Sequence, residues 1–79
     1  MIHEATTREE YEAAFLAMYN HPIMGEHIIG KLHLSVGALN WRMHDGGSNV
    51  YTGKVTNGRA TRMRINESMM QWLNTSGIR

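Results

Sequence analysis

The side chains best equipped for recognition in this sequence are three arginines, Arg42, Arg62 and Arg64, together with Tyr51, His33 and Lys31. A guanidinium presents a planar fork of donors that matches phosphate and carboxylate. A phenol ring adds a flat face on which a base or a guanidinium stacks. The set suits an anionic ligand with planar parts: a nucleic acid, a nucleotide or an acidic protein surface.

Bond-breaking chemistry asks for more. It needs a nucleophile with a base, paired carboxylates or a phosphate cradle. The sequence has no cysteine, which removes disulfides, thiolate metal sites and thiol nucleophiles. His33 and Ser35 fall on one strand face with no acid to orient the imidazole. Gly46-Gly47 reads as a turn and not as a phosphate loop, because no helix follows and no lysine stands at the required place. His21, His27 and His33 recur every six residues, which matches no zinc pattern. Catalytic residues, a metal and a cofactor are therefore not expected, and neither is enzyme activity.

Charge is unevenly spread. Residues 1–30 carry five carboxylates (Glu4, Glu9, Glu10, Glu12, Glu26) against Arg8, and residues 31–79 carry Asp45 and Glu67 against seven bases. Sign asymmetry of this kind bears on partners and not on fold.

The elements that must position these groups follow from periodicity. Thr7-Arg8-Glu9-Glu10 has capping-box spacing, and Tyr11, Ala14, Phe15, Met18 and Tyr19 recur at helical spacing. Pro22 stops the run, so a first helix is expected over residues 7–20. Residues 23–30 read as a loop entering a strand. From Lys31 the period changes to two: Leu32, Leu34 and Val36, then Leu39, Trp41 and Met43, then Met63 and Ile65 alternate with polar neighbours. Turn signals stand at Gly37-Ala38, at Asp45-Gly46-Gly47-Ser48 and at Asn57-Gly58, the last with the strongest hairpin signature. Asn66 then reads as the N-cap of a short helix over residues 67–75, with Gly77 as its stop. The expected fold is α+β: an N-terminal helix, a four-stranded antiparallel meander and a short C-terminal helix, both helices on one face of the sheet. Residues 1–79 are expected to form a single small domain, since a chain of 79 residues buries only about 60% of its unfolded surface.

A loop at Gly37-Ala38 pairs His33 with Arg42, one centred on Gly46-Gly47 pairs Arg42 with Tyr51, and a two-residue loop at Asn57-Gly58 pairs Tyr51 with Arg64. One polar row across the uncovered face then reads His33, Arg42, Tyr51, Arg64, and the next Ser35, Asn40, Gly53, Arg62, with Lys31 and His44 extending them. No carboxylate lies on that face, and Lys54 falls on the opposite, helix-covered side. A wet sheet face that serves only solubility is the competing reading; the lack of acids favours a binding face. The first functional expectation is a small binding protein whose basic sheet face docks on an anionic partner. The alternative is a phage-type accessory inhibitor or adaptor that blocks a protein or nucleoprotein complex stoichiometrically, with Glu9 and Glu12 of the acidic first helix as its contact. A homodimer through an edge strand, or through Pro22-Ile23-Met24, is a third arrangement. Met1-Ile2-His3-Glu4 lacks the basic start and apolar run of a signal peptide. No stretch approaches the roughly 18 apolar residues of a membrane helix. A cytoplasmic location is expected, the host cytoplasm for a viral chain, with no membrane partner.

Overall fold

The computed structural model describes residues 1–46 and 50–79. In chain order its elements are β1 (Ile2–His3), α1 (Arg8–Ala17), a 3-10 turn (Met18–Asn20), β2 (Gly25–Ile29), β3 (Leu32–Val36), β4 (Asn40–His44), β5 (Val50–Lys54) and α2 (Gly58–Thr75). The fold is α+β, with two helices and a five-stranded mixed sheet in the order β1-β2-β3-β4-β5. Gly47 and Ser48 of the expected turn after Asp45 lie outside the described residues.

Helix α1 starts where its capping box places it. Thr7 Oγ1 accepts the Glu10 N–H at 3.2 Å. The Glu10 carboxylate accepts the N–H of Thr7 and of Thr6, each at 3.0 Å, and the Thr6 hydroxyl at 2.8 Å. These donors, the Thr7 amide first, hold the Glu10 carboxyl down at about 2, because they stabilise only the ionised form. Tyr11, Ala14 and Phe15 point into the core, and the helix tightens into the 3-10 turn before Pro22.

The sheet differs from the expected meander in three ways. Strand β1, two residues long, was not anticipated; it pairs in parallel with β2 (Ile2 with Ile28) and makes the sheet mixed. Strand β2 occupies most of the segment read as a loop entering a strand and pairs antiparallel with β3. The registers also shift. In β3–β4, His33 faces His44 and Leu34 faces Met43, a two-residue displacement that leaves every side chain on its expected face. The exception is Leu39, expected inside, which lies in the turn and is exposed. In β4–β5, Arg42 faces Thr52 and Met43 faces Tyr51. That displacement is one residue, and it turns β5 over. The physical reason lies in what each register buries. The expected one sends the Lys54 ammonium to the helix side; the observed one releases it to water and packs the Tyr51 ring against the core. It also sets Gly53 opposite Trp41, where a Cβ would stand 2.5 Å from the indole nitrogen.

The last element overturns a second expectation. Asn57-Gly58 is not a hairpin turn: the Asn57 side chain accepts the Ala60 N–H at 2.9 Å and caps α2. The same residue type serves both roles, since its short amide tolerates turns and also caps helices. The strand expected around Met63 and Ile65 is therefore the first half of α2. Thr61, Ile65, Met69, Trp72 and Leu73 form its buried stripe, while Met63 is 57% exposed. Asn66, expected as an N-cap, sits mid-helix and donates to the Tyr19 hydroxyl at 3.0 Å. Gly77 does end the element, at φ 80°.

Buried side chains of both helices and of one sheet face form one core cluster, including Tyr11, Phe15, Leu34, Trp41, Met43 and Trp72. Two polar ties fix it. Trp72 Nε1–H donates to Asp45 Oδ2 at 2.9 Å. The Tyr11 hydroxyl accepts the Lys31 N–H at 3.0 Å, resting against Gly30, where a Cβ would meet the hydroxyl at 2.2 Å. Among the described residues, no helix covers the other sheet face.

Candidate functional site

Pairing writes out the uncovered face row by row. The first row is Ile2, Ile28, His33, His44 and Val50; the second is Glu26, Ser35, Arg42 and Thr52; the third is Asn40 and Lys54. Side chains on directly paired residues share a face and touch. The His33 and His44 rings accordingly stack, with centroids 5.2 Å apart and planes 18° apart. Beside them, β3, β4 and β5 enclose a broad open depression of about 640 Å³ lined by Ser35, Asn40, Arg42, Thr52 and Lys54. A second hollow of about 300 Å³ lies where β5 runs into α2, lined by Lys54, Thr56 and Arg64 among others. Lys54 belongs to both, and neither lining includes a carboxylate.

Of the residues expected on this face, Arg42, His33, His44, Ser35 and Asn40 are there. Tyr51 is not: the register of β5 turns it to the helix side beside Met43, so it cannot stand between arginines on the open face. Arg62 and Arg64 lie on α2. Arg62 is committed to the fold, donating through Nη1 to the Met18 carbonyl at 2.9 Å and through Nη2 to the His21 carbonyl. It thereby satisfies the end of the 3-10 turn, which has no basic residue of its own. Arg64 is exposed and reaches the smaller hollow. Lys31 sits in the β2–β3 turn, beside Ala5, Thr6 and Tyr11, away from Arg42. The face is also not free of acid, because Glu26 pairs with Ser35 in the row of Arg42.

Lys54 and Thr52 are the residues missed. The signal for Lys54 was present: a lysine forced to a buried side marks a wrong register. Glu9 and Glu12 of the alternative contact are exposed on α1, with Glu12 3.7 Å from the Arg8 Nε.

The remaining titratable group of note is His27, buried on the helix side of β2. Its Nε2 lies 2.8 Å from the Ile23 carbonyl, and its Nδ1 has no partner among the described residues. Burial, the largest influence, pushes its pKa below the usual histidine value. It contributes to the core and not to the open face. Among the described residues no three His, Cys, Asp or Glu side chains gather as a metal site, and no helix is long and apolar enough to cross a membrane. No protein-family model, curated protein or solved structure matches the chain.

Proposed function

We propose that this is a small non-catalytic binding protein that docks an anionic partner on the uncovered side of its sheet, with Arg42 and Lys54 as the charged contacts. One observation carries the reading. The 640 Å³ depression brings two cations together with the hydrogen-bonding side chains of Ser35, Asn40 and Thr52, with no carboxylate in its lining. Neither cation is tied up by another side chain among the described residues. The inward turn of Tyr51 takes away the ring on which a base would stack, so charge and hydrogen bonding carry the contact.

The test is a binding titration of the Arg42→Glu/Lys54→Glu variant against a labelled acidic peptide and a labelled single-stranded oligonucleotide. Both substitutions are at exposed positions, so the fold should survive, as circular dichroism will show. Binding at low salt should fall by about tenfold or more, as expected when cations facing an anionic partner are reversed. Binding to both probes that equals the unaltered protein's would reject the reading.

A second surface supports the alternative of an accessory inhibitor or adaptor. Glu9, Glu12 and Leu16 recur on the outer side of α1, where Leu16 is 66% exposed. Acid beside an uncovered apolar residue suits a basic protein groove. Reversal of Glu9 and Glu12 to lysine would abolish such a complex and leave acidic-peptide binding at Arg42 intact.

A further inference from the structure

Strand β5 has β4 on one side and, among the described residues, no strand on the other. The direction of its free groups can be worked out. The Val55 N–H donates to the Leu39 carbonyl at 2.8 Å. Bonded pairs alternate along an antiparallel ladder, so Gly53–Trp41 and Tyr51–Met43 are bonded pairs. The N–H and C=O groups of Val50, Thr52 and Lys54 therefore point away from β4, to the free edge. A polypeptide in extended conformation is the ligand that matches such a row of alternating donors and acceptors; a phosphodiester group supplies acceptors only.

The surroundings of that edge set the sequence the incoming strand should have. Its side chains would alternate between the two faces of the sheet. Toward the open face they meet the depression of Arg42 and Lys54; toward the helix side they meet the hollow that the exposed Arg64 lines. Both hollows are cationic. A second copy of this chain pairing edge to edge would bring two such sets of cations together, and like charges across strands destabilise. An acidic strand neutralises them instead.

We infer that the free edge of β5 receives an extended, acid-rich segment of another protein, which pairs with Thr52 and Lys54 through the main chain and with Arg42, Lys54 and Arg64 through its carboxylates. This rests on the anionic-partner reading above and names the partner's chemistry and the backbone that holds it.

The discriminating variant is Thr52→Pro. Proline is tolerated on an edge strand whose N–H faces outward, so the β4–β5 ladder keeps its bonds while the edge loses one donor. The probe is a fluorescein-labelled peptide of Glu-Glu-Thr repeats, which presents carboxylates on both faces of an added strand, compared with a Lys-Lys-Thr peptide and an oligothymidylate of equal length. The acidic peptide alone should bind; T52P should weaken it about fivefold or more, the value of one lost hydrogen bond, relative to Thr52→Ala, which removes the same side chain and keeps the main-chain donor. Should T52P fail to fold, amide exchange of the unaltered protein decides: peptide should slow exchange at Thr52 and Lys54. Unchanged binding by T52P, or unslowed amides at saturation, would overturn edge pairing. So would an oligothymidylate that binds while the acidic peptide does not. In each case the loss caused by Arg42→Glu/Lys54→Glu would still decide the anionic-partner reading separately.

Discussion

Arg42 on the open sheet face and Arg62 in the seam between α1 and α2 look alike in sequence, each flanked by a methionine in an alternating run. The fold uses them in opposite ways. Two main-chain carbonyls take up the Arg62 guanidinium, whereas among the described residues no other group of the protein bonds the guanidinium of Arg42. A basic residue is available to a partner only if the chain's own orphan carbonyls do not claim it first. The arginine count of a sequence therefore overstates its binding charge.

The sharpest way to break the comparison is to remove each charge in turn. Arg62→Met should lower stability by about 2–3 kcal/mol, because two charge-assisted bonds are lost and carbonyls are left unpaired. Arg42→Met should stay within about 0.5 kcal/mol, as exposed substitutions do. Urea unfolding of the two variants measures both; equal losses would erase the distinction.

A smaller effect sharpens it from the sheet side. Gly53→Ala presses a methyl against the Trp41 indole, with 2.5 Å between the new Cβ and Nε1. Overpacking of this kind costs about 1–3 kcal/mol, and Thr52→Ala, one residue away and facing out, should cost less than about 0.5 kcal/mol. Thermal unfolding of the pair checks that the two faces of β5 are assigned correctly.

The mildest effect is acid titration. His27 has a folded pKa below its ordinary value of 6.5. The unfolded chain thus takes up a proton first, and stability present above about 6.5 is lost as pH falls toward the folded value. Glu10, held at about 2 against an ordinary 4.5, adds stability above 4.5 that is lost as pH falls toward 2. Unfolding midpoints across this range should decline in two stages, and His27→Asn should remove the first. Arg42 variants should follow the unaltered curve.

What could be read from the residues divides along physical lines. Helix α1 was legible because Thr7 and Glu10 fix its start and Pro22 its end, two signals that agree with the spacing of Tyr11, Ala14 and Phe15. Strands β3 and β4 were legible because a two-residue error preserves faces, so Arg42 and His33 came out on the correct side. Strand β5 was not, because its face depends on whether the connection from His44 to Val50 is odd or even, and one residue decides it. The first half of α2 was misread because Arg62-Met63-Arg64-Ile65 alternates at two while Thr61, Ile65 and Met69 recur at four. Length settles such ties: a buried stripe carried through to Leu73 outweighs a four-residue alternation. Strand β1 carried no period at all in two residues.

The packing of Trp41 across Gly53 has an optical consequence. The chain has two tryptophans, and only Trp72 has its indole N–H bonded among the described residues, to Asp45. Replacing Trp72 with phenylalanine would leave a single tryptophan, buried directly under the strand that the partner is proposed to join. Its emission would then report occupancy of that edge without any label.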